Sequence, residues 1–168
     1  MADGRISNAL RRGEHRDPRV SIMTIRVALV SCVKSKQASA TPARELYTSQ
    51  LFRSLRAYAE ANAGVWYILS AEHGLLNPDQ VVAPYERTLN TMKKADRLAW
   101  AARVQGQLFR VLPPGAEIIM LAGERYRKDL IPFLRSRGFP VRVPLEGLSF
   151  GRQLRRLKAL AEDRYVER

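Results

Sequence analysis

Three short apolar runs constrain the fold of this chain more than anything else in it: Arg26–Ser31 (RVALVS), Val65–Ser70 (VWYILS) and Glu117–Leu121 (EIIML). Each is near-continuous rather than alternating, the pattern of a strand buried on both faces. Helical spacing fills the intervals. Residues 49–62 place Leu51, Phe52, Leu55 and Ala59 on one face. Residues 93–112 do the same with Leu98, Ala102, Leu108 and Leu112, and Pro113-Pro114-Gly115 ends the run. Residues 125–137 read as one helix ending at Gly138, a fitting residue after a helix end. Residues 139–143 read as a weaker fourth strand. Ser149 suits the N-cap of a last helix, with Leu154, Leu157, Leu160 and Ala161 inward and Arg152, Arg155, Arg156 and Lys158 outward. This alternation predicts an α/β fold: a three-layer α/β/α domain over residues 25–168, with a mainly parallel sheet of about four strands. Residues 1–24 lack sustained apolar periodicity. They read as a flexible basic N-terminal arm, with a short helix near residues 6–12 and an Arg11-Arg12 pair able to touch phosphate.

Charge narrows the partners. Lys and Arg number 29 against 16 Asp and Glu, a formal net charge of +13. Such an excess suits a polyanion, nucleic acid first and an anionic membrane surface second. The basic residues are spread along the chain. Only residues 61–90 are net acidic, with Glu72, Asp79 and Glu86 against Arg87. Cys32 is the single cysteine, and His15 and His73 are the two histidines. A disulfide framework, a cysteine zinc site and a multi-histidine metal centre are therefore excluded, and no metal or cofactor is expected. No apolar run reaches the roughly 18–20 residues of a membrane span, and no apolar leader opens the chain. The expectation is a reduced, cytoplasmic protein with no membrane partner.

In open α/β sheets ligands bind beyond the carboxyl ends of the strands. The loop after the first strand reads S-C-V-K-S-K. Ser31 and Ser35 offer hydroxyls, and Lys34 and Lys36 suit phosphate. A solvated basic turn is the plain alternative, and Cys32 beside two lysines is a weaker candidate nucleophile. The loop after the second strand reads L-S-A-E-H-G-L-L-N-P-D. It places Glu72 and His73 side by side after Ser70, with Gly74 permitting a sharp turn. A carboxylate and an imidazole there suit general acid–base work, or simply fix the loop. Pro84 and Tyr85 form a rigid aromatic corner, and Tyr85 and Thr88 either line a pocket or pack. The loop after the third strand, A-G-E-R-Y-R-K, has Gly123 for close ligand approach, Tyr126 for stacking and Arg127 for phosphate. A solvated helix start is the alternative reading.

The combination of S-C-x-K-S-K, the segment Leu46-Tyr47-Thr48-Ser49-x-Leu51-Phe52 and L-S-A-E-H-G-L-L-x-P…P-Y…T-L resembles a family of small uncharacterised bacterial domains. That family is distantly similar to YaaA, the peroxide-stress DNA-binding family. The likeness spans about residues 26–130 and falls on Tyr47-Thr48, Leu69-Ser70, Gly74, Leu76, Pro78, Pro84-Tyr85, Leu121-Ala122 and Tyr126. The YaaA pattern departs at Glu72-His73, where it has a bulky apolar residue and a tyrosine. The small-domain family usually has Gly in place of Val33. The resemblance implies DNA binding and protection from oxidative damage. A looser architectural likeness is to uracil-DNA-glycosylase-like domains.

Three functions remain open on these residues. One is an enzyme acting on a base or nucleotide in DNA, most concretely an N-glycosidase used in DNA repair. Glu72 would polarise water or stabilise a cationic sugar, and His73 would hydrogen-bond the departing base. Ser31, Cys32, Ser70, Gly74, Tyr85, Thr88, Gly123 and Tyr126 would line the base site. Lys34, Ser35, Lys36 and Arg127 would hold phosphates. The second is a non-catalytic DNA-binding stress protein. The third is an enzyme acting on a free nucleotide or nucleoside.

Overall fold

The computed structural model describes residues 24–166, with side chains through Asp163. Residues 1–23 of the expected arm, with Arg11-Arg12, lie outside the described residues. In chain order the elements are β1 (Arg26–Ser31), β2 (Thr41–Pro42), α1 (Ala43–Leu46), α2 (Gln50–Asn62), β3 (Val65–Ser70), β4 (Gly74–Leu76) and β5 (Val81–Val82). A 3-10 turn (Leu89–Thr91) follows, then α3 (Lys94–Val111), β6 (Glu117–Leu121), α4 (Glu124–Arg127), α5 (Ile131–Ser136), β7 (Val141–Arg142) and α6 (Phe150–Val166).

The main sheet has five strands in the order β4-β3-β1-β6-β7. β1 pairs in parallel with both β3 and β6, and β6 with β7. β4 alone is antiparallel. The fold is thus mixed α/β with a mostly parallel sheet, and the fifth strand comes from a segment expected to be loop. The central strands explain themselves: Val27, Ala28, Leu29, Val30, Ile68, Leu69 and Ile118–Leu121 are buried on successive positions, as continuous apolar runs require. α2 packs on β1 and β3, α6 packs on α2, and α3 packs along β4.

α2 starts where expected because the Ser49 hydroxyl accepts the Phe52 N–H at 3.1 Å, satisfying a free donor of the first turn. It buries Phe52, Leu55 and Ala59. α3 has the expected span and half of the expected face, since Leu108 is buried and Leu112 packs against the core. Trp100, Ala101, Val104 and Leu108 are buried, while Leu98 and Ala102 are exposed. The Trp100 indole N–H reaches the Ser70 carbonyl at 2.8 Å, and this buried bond fixes the helix rotation. The single helix expected over residues 125–137 is two, α4 and α5. Pro132 sits in the first turn of α5, where its missing N–H costs nothing, and it would break a longer helix. The weak fourth strand shortens to Val141–Arg142. In α6, Leu157 is buried, Leu154 and Leu160 are half-buried, and Ala161 is exposed rather than inward. Arg152, Arg155, Arg156 and Lys158 are exposed. Among the described residues no helix is long and apolar enough to cross a membrane.

Candidate functional site

The loop after β3 is a tight hairpin. Ser70 pairs with Gly74, leaving Ala71, Glu72 and His73 as the turn. Gly74 takes φ +71°, a left-handed conformation that costs a residue with a Cβ roughly 1–2 kcal/mol. Gln107 of α3 accepts the Leu75 N–H at 2.8 Å, and Arg103 donates to the Glu72 carbonyl at 2.9 Å. The turn is therefore held from α3 through its backbone, which leaves its side chains free to serve other groups.

The Glu72 carboxylate lies 3.9 Å from Arg87, and both side chains are about half exposed (41% and 56%). An ion pair this long and this wet contributes roughly 0–1 kcal/mol. The carboxylate is thus oriented but not locked. Beside it a cavity of about 230 Å³ is lined by Ala71, Arg87, Asp96, Trp100 and Arg103 among others.

A second, drier cluster lies next to this turn. The strand pair β2–β5 sets the segment that precedes Pro84 along residues 41–44, since the Ala43 and Arg44 N–H groups donate to the Gln80 and Pro78 carbonyls. Tyr85 thereby meets Tyr47. Their hydroxyls are 2.5 Å apart, and the Ser70 hydroxyl donates to that of Tyr85 at 2.7 Å. The His73 N–H donates to the Ser70 hydroxyl at 3.0 Å, and the His73 ring meets the Tyr85 ring edge-on at 5.5 Å. Four residues from three separate segments form one polar chain under the hairpin.

Lys36 sits on the same ring, its ammonium 4.5 Å from the centre of Tyr85 and 5.8 Å from that of Tyr47. On the other side of β1, the Cys32 thiol contacts the Tyr126 hydroxyl at 3.3 Å, and Tyr126 packs edge-on against Trp100. Burial pushes the phenols of Tyr47, Tyr85 and Tyr126 well above the ordinary tyrosine value, with Cys32 adding to it in each case. They stay neutral donors through the physiological range. Burial lowers the Lys36 pKa, partly offset by Cys32 and Glu86.

Residues 27–159 match the family of unknown function DUF6884. The chain belongs to this family. One curated relative, the uncharacterized protein YfjM of Bacillus subtilis (strain 168), is 32% identical over 116 residues. That match covers 62% of this chain and 74% of YfjM. No solved structure matches significantly. All the motif loops lie within the DUF6884 span, as does the whole polar chain.

The site residues expected from sequence are distributed as follows. Ser70, His73, Tyr85 and Lys36 come together around the Tyr85 ring, with Glu72 beside His73 in the turn. Ser31 ends β1, half-buried, and Gly74 closes the hairpin. Cys32 and Tyr126 touch each other and are buried, so the Tyr126 ring presents no open stacking face. Thr88 caps the 3-10 turn through the Asn90 N–H. Gly123 caps α4, and Arg127 donates to the Ala122 carbonyl at 3.0 Å. Lys34 and Ser35 are exposed at the rim. Sequence reasoning passed over Arg87, Trp100 and Arg103 as site residues. Trp100 and Arg103 sit in an amphipathic helix where no local pattern separates a site residue from a packing one. Tyr47 was visible only through the family-like Tyr47-Thr48 segment.

The larger cavity, about 560 Å³, lies between α2 and α6 and is lined by Tyr58, Leu154, Leu157 and Arg155 among others. Size favours it, but none of the motif residues reaches it. The chemistry favours the hairpin.

Proposed function

We propose that this protein binds DNA and acts on a base within it, as an N-glycosidase-like hydrolase that removes damaged or modified bases under stress. One observation carries the reading. A reachable carboxylate, Glu72, stands at the carboxyl end of a buried strand beside a cavity flanked by Arg87 and Arg103, in a chain of net charge +13. A basic surround attracts a polyanion, while a carboxylate at its edge stabilises the positive sugar that forms as a base departs. An enzyme of this kind turns its base out of the stack. Glu72 would then orient the attacking water or face the sugar, and the His73 imidazole would bond the departing base. Tyr85, the more exposed of the two candidate rings, would carry the stacking role. Lys34, at the rim, and Arg127 would meet phosphates. The sequence likeness to the YaaA family supports the choice of DNA over a free nucleotide.

The test is mass spectrometry of small molecules released from DNA carrying varied damaged bases. Wild type should release a base, and Glu72→Gln should release it about 10²–10⁴-fold more slowly, with DNA retention unchanged. Retention without release from any substrate would reduce the protein to a DNA-binding one. Tight binding of free nucleotide, with none to DNA at about 150 mM salt, would replace the reading with a small-molecule enzyme.

A further inference from the structure

Lys34 and Lys36 are two residues apart, yet they occupy different environments. Lys34 is exposed. Lys36 is fixed at its backbone by a bridge to Tyr47, flanked by the Gln37 N–H to Leu46 carbonyl bond (2.7 Å) and the Thr48 N–H to Ser35 carbonyl bond (3.0 Å). Its side chain lies over Tyr85 and Tyr47, and its amine donates to the Lys34 carbonyl at 3.1 Å. Among the described residues no carboxylate pairs with it, whereas Arg26, Arg44, Arg56, Arg87 and Arg142 each have one. Arg137, over the rings of Phe109 and Phe133, is also without a carboxylate among the described residues, but it ends α5 ahead of β7, whereas Lys36 follows the carboxyl end of β1. Lys36 is given two rings, with Cys32 and Glu86 acting on its charge, and it shares the Tyr85 ring with His73.

We propose that Lys36 is a nucleophile, forming an imine with the aldehyde of an abasic deoxyribose and so adding strand cleavage to base removal. The inference rests on the base-removal reading, because loss of the base exposes that aldehyde. The neutral amine is the reactive form, and partial loss of water around Lys36 raises its share relative to an ordinary lysine. The amine adds to the C1′ carbonyl, and the adduct loses water to give the imine. A proton then leaves C2′, and the C3′–O bond breaks with its electron pair on the departing phosphate. One fragment ends in a 5′-phosphate. Hydrolysis of the imine restores the lysine and frees the other fragment with an unsaturated aldehyde. No oxidant or reductant is consumed. His73, whose ring meets the same Tyr85 ring, and Glu86, whose charge acts on Lys36, would exchange these protons.

The experiment uses the full chain, an end-labelled duplex carrying a preformed abasic site, and sodium borohydride to reduce any imine. Wild type and a surface control, Lys94→Gln, should give a covalent protein–DNA band. Lys36→Gln and Lys36→Arg should lose it at least tenfold, and peptide mapping of the wild-type adduct should place the added mass on Lys36. Mapping on wild type decides the matter even if a variant fails to fold. No band from wild type, an undiminished band from folded Lys36→Gln, or mass on another lysine overturns the proposal. The two readings separate by substrate. Base release from intact DNA with no band on abasic DNA leaves base removal standing and removes the lysine step. A band on abasic DNA mapped to Lys36, with no base release from any substrate, does the reverse.

Discussion

Removing the Tyr85 hydroxyl should cost the protein much more than removing that of Tyr47, although the two are bonded to each other. Tyr85 is the middle of the chain, with Tyr47 at 2.5 Å on one side and Ser70 at 2.7 Å on the other. Tyr47 and Ser70 are buried, at 2% and 0% exposure. Tyr85→Phe therefore breaks two bonds and leaves two buried hydroxyls short of a partner. Each lost bond is worth about 1 kcal/mol, and each orphaned group adds a desolvation cost, for a total of about 2–4 kcal/mol. Tyr47→Phe breaks one bond. The surviving partner, Tyr85, keeps its Ser70 donor and is half-buried rather than fully buried, so the cost should be about 0.5–1.5 kcal/mol. Urea unfolding of both variants and of the double variant measures this. In a domain of this size the Tyr85→Phe loss corresponds to a Tm drop of about 4–16 °C. The double-variant cycle should show coupling of about 0.5–3 kcal/mol. Equal costs for the two single variants, or additive behaviour, would refute the idea that Tyr85 bridges the two buried hydroxyls.

Other outcomes follow from the same geometry. Gly74→Ala should lose about 1–3 kcal/mol, read by thermal melting. The new Cβ would combine φ +71° with a clash against the Gln107 side-chain oxygen, displacing the acceptor of the Leu75 N–H. The share of stability that the phenols of Tyr47, Tyr85 and Tyr126 contribute should be intact up to about pH 10 and be lost above it, because their pKa values are raised on folding. The unfolded chain gives up those protons first, so rising pH favours it. In absorbance titration the phenolate signal of these three should appear only with unfolding. If DNA is the partner, Lys34→Gln should weaken its binding equally across sequences. It should also reduce the salt slope by about 0.9 in log–log terms, measured by fluorescence anisotropy. An unchanged slope would mean that Lys34 makes no phosphate contact.

The sequence by itself determined the frame. The runs at Arg26–Ser31, Val65–Ser70 and Glu117–Leu121 are apolar enough that only burial on both faces accommodates them, and each is a strand at those residues. Ser49 and the spacing of Phe52, Leu55 and Ala59 likewise defined α2 and its buried face, because capping and periodicity act within a few residues. These signals also put the unusual chemistry of Glu72 and His73 at the end of β3. Tertiary structure decided the rest. Gly74, Leu75 and Leu76 carry too short a pattern to announce β4, which exists because β3 offers an open edge and α3 covers it. Trp100 turned the start of α3 so that Leu98 faces solvent, by finding a carbonyl 30 residues earlier in the chain. Tyr47 and Tyr85 lie 38 residues apart and meet only because β2 and β5 pair. Lys34 and Lys36 look equivalent in S-C-V-K-S-K, yet a bridge to Tyr47 sends one to solvent and lays the other across two rings. Periodicity records which side of an element is dry. It carries no record of which distant hydroxyl, ring or amine arrives there, since that depends on how the strands cross and pair.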